Sequence, residues 1–196
     1  PATGPNCYTR PGRVYAPPDF HRQFELPAMR FLLTNDDGIG APGLELLSEV
    51  AGEFGEVVVV APDGPLSGCS HRVTVEKPLT ITSHGRDRFS INGTPADCVR
   101  IGLVEQQHEI DWVLSGVNAG ANLGVDVYMS GTVGATREAG LFHVPAIALS
   151  LFIHHHGPFD WSGLAPMLRS TIELLLTRRP ASGGYFNVNF PDPRDV

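Results

Sequence analysis

The sequence predicts an α/β fold on a mainly parallel sheet with a small antiparallel excursion. Three observations predict it. Short apolar strands alternate with helical stretches from Arg30 onward. Val57-Val58-Val59-Val60 is an unbroken β-branched run, which suits a parallel strand covered on both faces. The connections between these segments are short, as strand–helix alternation requires.

Residues 1–28 differ from the rest of the chain. Pro1, Pro5, Pro11, Pro17, Pro18 and Pro27 break any apolar period, and no apolar core of a secretory signal is present. They read as a Pro-rich arm whose aromatics (Tyr8, Tyr15, Phe20, Phe24) suit docking on the domain or on a neighbour. A domain of residues 29–196 then begins. Phe31-Leu32-Leu33 is a buried strand. Pro42 to Phe54 is a helix with Leu44, Leu47, Val50 and Ala51 on one face. After the valine strand, segments near Arg72–Val75 and Leu79–Thr82 are expected to pair around Lys77-Pro78 as the antiparallel excursion. Phe89-Ser90-Ile91 is a further short strand. Thr94-Pro95-Ala96-Asp97 opens a helix to about Gln106, with Thr as N-cap, Pro at the first helical position and an acid in the first turn. Trp112-Val113-Leu114 is a central strand, with a long Gly/Asn loop after it. A helix from near Thr132, a strand over Ala146–Leu151, an amphipathic helix over Leu164–Leu176 and a short strand at Phe186–Asn189 complete the pattern.

The 196 residues suit one domain with a sizeable core. A formal charge of −7 argues against a nucleic-acid polymer or an anionic membrane as partner. No apolar run is long enough to cross a bilayer. Cys7, Cys69 and Cys98 are odd in number and lack C-x-x-C spacing, which argues against a disulfide framework or a zinc site and suits a reducing compartment.

Open α/β sheets bind ligands outside the carboxyl ends of their strands. Polar clusters come after strands at 34–43, 61–71 and 115–132. In the first, Asn35-Asp36-Asp37-Gly38-Ile39-Gly40-Ala41-Pro42-Gly43, two chemistries compete. Gly38-x-Gly40-x-x-Gly43 matches the dinucleotide fingerprint, and Asp63 lies about 20 residues further on, after the second strand. Asp36 and Asp37 oppose that reading. A unit charge ~4 Å from a bare pyrophosphate costs on the order of 4 kcal/mol at an effective dielectric near 20. A helix N-terminus returns only about 0.3–1 kcal/mol. A divalent cation between carboxylates and phosphate removes the conflict. A capping or turn aspartate explains one carboxylate well and two poorly.

Ser67-Gly68 offers a hydroxyl and a free backbone N–H, although an ordinary Pro/Gly loop explains that segment alone. His71 is either a proton donor, an orienting group or a solvent-exposed side chain. Asn118 and Asn122 carry neutral oxygens suited to a hard cation. Ser130-Gly131-Thr132 suits an anion site at a helix start, or a plain N-cap. His154-His155-His156 reads as a solvated loop at the mouth of the cleft, because consecutive residues cannot all face one ion.

The ordered motifs Asn35-Asp36-Asp37-Gly38-Ile39, Val60-Ala61-Pro62-Asp63, Ser67-Gly68 with His71, Gly93-Thr94-Pro95-Ala96-Asp97-Cys98-Val99, Ser115-Gly116-Val117-Asn118-x-Gly120-x-Asn122, Ser130-Gly131-Thr132-Val133 and Asn187-Val188-Asn189-x-Pro191 resemble the SurE family. The resemblance covers about Met29 to Pro191. It implies a Rossmann-like three-layer fold and a phosphatase domain at 29–196 that lacks the family's usual C-terminal segment. It implies hydrolysis of nucleoside 5′- and 3′-monophosphates, or other small phosphomonoesters, with one divalent cation (Mn²⁺ or Mg²⁺) per subunit. The family's metal ligands fall on Asp36, Asp37, Ser67 and Asn118, with Asp36 and Asp37 also the candidates to orient or deprotonate water. Asn35, Gly68, Asn122, Ser130, Gly131 and Thr132 are the candidate phosphate or substrate contacts. A cytoplasmic homodimer or tetramer is the implied form. The rival readings are a non-catalytic nucleotide-binding module and an NAD(P)-linked oxidoreductase.

Overall fold

The computed structural model describes residues 29–105, 110–154 and 159–195. The expected arm at 1–28 and His155 and His156 lie outside these residues. Among the described residues, seven strands form one sheet: β1 (Met29–Thr34), β2 (Gly55–Pro62), β3 (Ile81–Ser83), β4 (Arg88–Ile91), β5 (Trp112–Ala119), β6 (Ala146–Leu151) and β7 (Tyr185–Phe190). Their order is β3-β4-β2-β1-β5-β6-β7. The β3–β4 pair is antiparallel and the other five pairs are parallel. Among the described residues no helix is long and apolar enough to cross a bilayer.

The period-2 pattern of the strands separates two cores. Phe31, Leu33, Val59, Leu114 and Ile147 point to one side. They meet Leu44, Leu47 and Val50 of α1 (Pro42–Gly52) and Leu168 and Ile172 of α5 (Ala165–Leu176). Leu32, Val58, Val60 and Val113 point to the other side. They meet Cys98 and Val99 of α2 (Pro95–Glu105) and Ala135 and Ala139 of α4 (Gly131–Leu141). Helix, sheet and helix are therefore the three layers expected. A short helix, α3 (Asp126–Met129), interrupts the stretch expected to be a continuous loop.

The antiparallel excursion exists but uses other partners. β3 pairs with β4, with Ile81 opposite Ile91. Arg72–Val75 is not a strand. Its polar groups turn to the start of α2 instead: Thr74 N–H donates to Asp97 Oδ1 at 2.8 Å, and the Thr94 hydroxyl donates to the Arg72 carbonyl at 2.5 Å. β5 is longer than expected and runs through residues that resemble a loop. Its register against β6 shifts between Ser115 and Asn118. At Gly116, with φ +144°, a Cβ would fall 2.3 Å from the Leu149 carbonyl oxygen, so only glycine permits this approach.

The chain moves outward from β1 to β2 and β4, then returns to place β5 on the other side of β1. The crevice beyond β1 and β5 is thus the topological switch point, where an open sheet leaves room for a ligand.

Candidate active site

The turn leaving β1 is tied by its first side chain. Asn35 Nδ2 donates to the Gly38 carbonyl at 2.9 Å, and Gly38 N–H returns a bond to Asn35 Oδ1 at 3.1 Å. Gly38 has φ +99°, which favours glycine. Two backbone bonds join this turn to the loop after β2: Leu66 N–H to the Asp36 carbonyl at 2.7 Å, and Ile39 N–H to the Pro62 carbonyl at 2.8 Å. Asn35 therefore shapes the turn, and Ser67 comes directly after a residue bonded to Asp36.

Asp36 is 6% exposed. Its Oδ1 accepts the Thr132 hydroxyl at 2.6 Å. At Gly131 a Cβ would lie 3.0 Å from Asp36 Oδ2 and 2.5 Å from Cys69 Sγ, so the start of α4 is pressed against the carboxylate. Asp37 is half-buried, and its Oδ2 receives a long bond, 3.4 Å, from Ala119 N–H. Burial raises the pKa of both groups. For Asp36 the hydrogen bond from Thr132 pulls the other way and the charge of Asp37 adds to the rise.

The remaining candidates divide. Ser67 and Gly68 are exposed at the loop tip. The loop is docked beyond them, with Ser70 N–H on the Met129 carbonyl at 3.0 Å and the Ser70 hydroxyl on the Tyr128 carbonyl at 2.5 Å. Asn118 gives its Nδ2 to the Gly120 carbonyl at 2.7 Å, which leaves its amide oxygen as the available ligand atom. Ser130 caps α4 by accepting Val133 N–H at 3.0 Å. Asn122 is buried and held by its neighbours. Its Nδ2 donates to the Ser150 hydroxyl at 2.8 Å, and its N–H donates to Asn189 Oδ1 at 2.8 Å. The structure therefore joins Gly131 and Thr132 directly to Asp36, with Asp37 beside it on Ala119. It places Ser67 in the loop after β2, Asn118 at the end of β5, Asn122 in the loop after it and Ser130 at the cap of α4.

Three further features emerge only in three dimensions. Cys69 lies against Asp36 and Gly131, and burial, then the Asp36 charge, raises its thiol pKa. His71 binds Glu138 Oε2 at 2.8 Å, and that fully buried carboxylate also receives Arg100 Nε at 2.8 Å. No short-range spacing links these three residues. Asn187 and Asn189 hold the Asn122 carbonyl at 3.0 and 3.3 Å. Their alternate spacing on a strand is the clue the sequence offers. His154 is exposed and lies 3.4 Å from Asp195, near Asp192, which Arg194 already holds.

The donor set could hold a hard cation. Two carboxylates, an amide oxygen and a hydroxyl suit Mg²⁺ or Mn²⁺. His71 is engaged by Glu138 and Cys69 is held toward its neutral thiol, so the softer donors are set against metal binding. Among the described residues Asp37 receives one long hydrogen bond, from Ala119 N–H, and a cation between the two adjacent carboxylates would offset the like charge that raises the Asp36 pKa.

The family model described as "Survival protein SurE" matches residues 31–196. A putative 5′-nucleotidase of Synechocystis sp. is 43% identical over 163 residues, spanning 83% of this chain and 72% of that protein. A 5′-nucleotidase SurE of Paramagnetospirillum magneticum is 40% identical over 168 residues, 84% of this chain and 65% of that one. The crystal structure of the SurE protein from Aquifex aeolicus superposes with a TM-score of 0.77 at 38% identity, covering 83% of this chain and 66% of that one. The fold, the ordered motifs and these matches agree: the chain belongs to the SurE family.

Proposed function

We propose that this protein is a divalent-cation-dependent phosphomonoesterase that acts on nucleoside 5′- and 3′-monophosphates. Relatives that carry the name 5′-nucleotidase support the substrate class. The single observation that carries the reading is the Asp36–Asp37 pair at the switch point, with the N-terminus of α4 against Asp36.

Asp36 and Asp37 hold the cation, with Ser67 and Asn118 as further oxygens. The cation would supply positive charge to the phosphoryl oxygens and lower the pKa of water. Thr132 fixes the rotamer of Asp36 through its 2.6 Å bond. The start of α4, capped by Ser130 and held on Asp36 at Gly131, would add the positive end of its helix dipole to the phosphate side of the site. Asp37 is the less buried carboxylate and the better placed of the two to orient an attacking water. A Cβ at Gly43 would fall 2.1 Å from the Val117 carbonyl oxygen, so this glycine serves helix–sheet packing under either reading, and it is the two carboxylates that oppose a bare pyrophosphate.

The test is phosphate release from AMP, 3′-AMP and ribose 5-phosphate with Mn²⁺, with Mg²⁺ and with chelator. Release that requires the cation supports the reading. Equal rates with and without chelator overturn the metal role, and nucleotide binding without any release would indicate a non-catalytic module.

A further inference from the structure

Beside the carboxylates lies a cleft of about 400 Å³, whose walls include Asp37, Ile39, Gly40, Pro42, Asp63 and Trp161. Its volume lies within the range of small-ligand sites. It is continuous with the candidate cation site through Asp37. Nothing lies within 4 Å of the position where a Cβ on Gly40 would stand, so that side is open.

The two walls differ in chemistry. Trp161 is half-buried, and its six-membered ring lies 3.0 Å from the position of a Cβ on Gly43. The indole thus rests on the first turn of α1 because Gly43 has no side chain. Phe159 packs edge-on against it at 5.2 Å and 86°, and the Arg194 guanidinium lies 5.4 Å from the Phe159 ring centre. That arrangement holds the indole as a fixed, partly exposed plane. On the other wall Asp63 is exposed, at the end of β2, and its backbone N–H is fixed on the Ile91 carbonyl at 2.9 Å. An acid after the second strand, facing a glycine turn after the first, is the arrangement that accepts ribose hydroxyls in nucleotide-binding α/β folds.

We infer that this cleft is the nucleoside subsite: the base stacks on Trp161, the ribose hydroxyls donate to Asp63, and the phosphate reaches past Asp37 to the cation. The inference rests on the phosphomonoesterase reading for its phosphate end. It also gives the fingerprint glycines a use, since the turn that cannot accept a bare pyrophosphate beside Asp36 and Asp37 accommodates a neutral nucleoside on its outer side.

The experiment compares esters with and without a base on the Mn²⁺-loaded protein. Trp161→Ala is expected to lower the ratio of kcat/KM for AMP to that for ribose 5-phosphate roughly ten- to hundredfold, through KM. Trp161→Phe retains most of the ratio. Asp63→Asn narrows the preference for AMP over 2′-deoxy-AMP. An unchanged ratio in Trp161→Ala overturns the stacking role, including the case where both esters fall together because the residue is merely structural. A second readout separates this from failure of the hydrolytic reading. Trp112 is buried and Trp161 is not, so AMP is expected to quench Trp161 emission where ribose 5-phosphate does not. If neither ester is hydrolysed but AMP alone quenches, the subsite stands and the enzyme assignment falls. If AMP and ribose 5-phosphate quench alike, the subsite falls.

Discussion

Asp36 and Asp97 are two buried aspartates, 6% and 1% exposed, with opposite tendencies. Burial raises the carboxyl pKa of both. At Asp97 it is outweighed by donors on several sides. Thr74 supplies its N–H at 2.8 Å and its hydroxyl at 2.6 Å. Thr94 supplies its N–H at 2.9 Å and, at 3.1 Å, a hydroxyl shared with the Arg72 carbonyl. The net pKa is lowered. The Thr94 hydroxyl also accepts Asp97 N–H at 3.2 Å, which makes the pair a reciprocal cap of α2. Asp36 has one hydroxyl, the backbone at Gly131 and at Asp36 itself, and an adjacent like charge, and its net pKa is raised. Burial alone therefore does not mark a functional carboxylate. What separates the two is the balance of donors against like charge, which favours the ionised form of Asp97 and the neutral form of Asp36.

The sharpest way to break this contrast is a matched pair of substitutions. Asp36→Asn is expected to reduce Mn²⁺-dependent phosphate release from AMP by more than about a hundredfold, since even the partners of metal ligands are worth about 10–100-fold. Its melting temperature without metal should stay level or rise. Asp97→Asn should do the reverse, lowering stability in urea by about 1.5–3 kcal/mol while the folded fraction remains active. Equal destabilisation by both variants would erase the distinction.

Acid titration separates them by sign. Asp97 has a lowered folded pKa, so its contribution is full above the unfolded carboxylate value and is lost as pH falls through the folded value. Asp36 has a raised folded pKa, so the folded metal-free protein binds that proton more tightly. Its effect runs the other way: stability is gained as pH falls from the raised value toward the unfolded value. Urea midpoints between about pH 3 and pH 7 in chelator should show Asp97→Asn removing an acid-side loss and Asp36→Asn removing a gain.

The smallest expected effects come from the hydroxyls. Thr74→Val should cost about 1 kcal/mol of stability and leave cation affinity alone. Thr132→Val should weaken Mn²⁺ binding by roughly tenfold, read by calorimetry, with a lesser effect on the fold. Convergence of the two variants would show that the bond to Asp36 is only structural.

Much of the fold is legible along the chain. The valine run and the Ala146–Leu151 segment announce central strands because buried parallel strands must be apolar on both faces. Thr94-Pro95-Ala96-Asp97 announces its cap because a capping box is a local object. Arg72–Val75 misleads because its β-branched residues resemble a strand, while its polar groups find Asp97 and Thr94, distant in sequence. β5 continues past Ser115, where its pairing with β1 ends, because β6 pairs with Asn118 and Ala119, which outweighs local turn preference.

The sequence by itself determined the alternation of strands and helices, the caps and the Asp36-Asp37 pair at a strand end, since periodicity and turn chemistry act over a few residues. Only the tertiary structure decided that Thr132 serves Asp36, that His71 turns to Glu138, and that Trp161 and Asp63 line one cleft. Each of those pairs is far apart along the chain. A sheet that reverses its direction of growth at β1 and β5 is what brings them together.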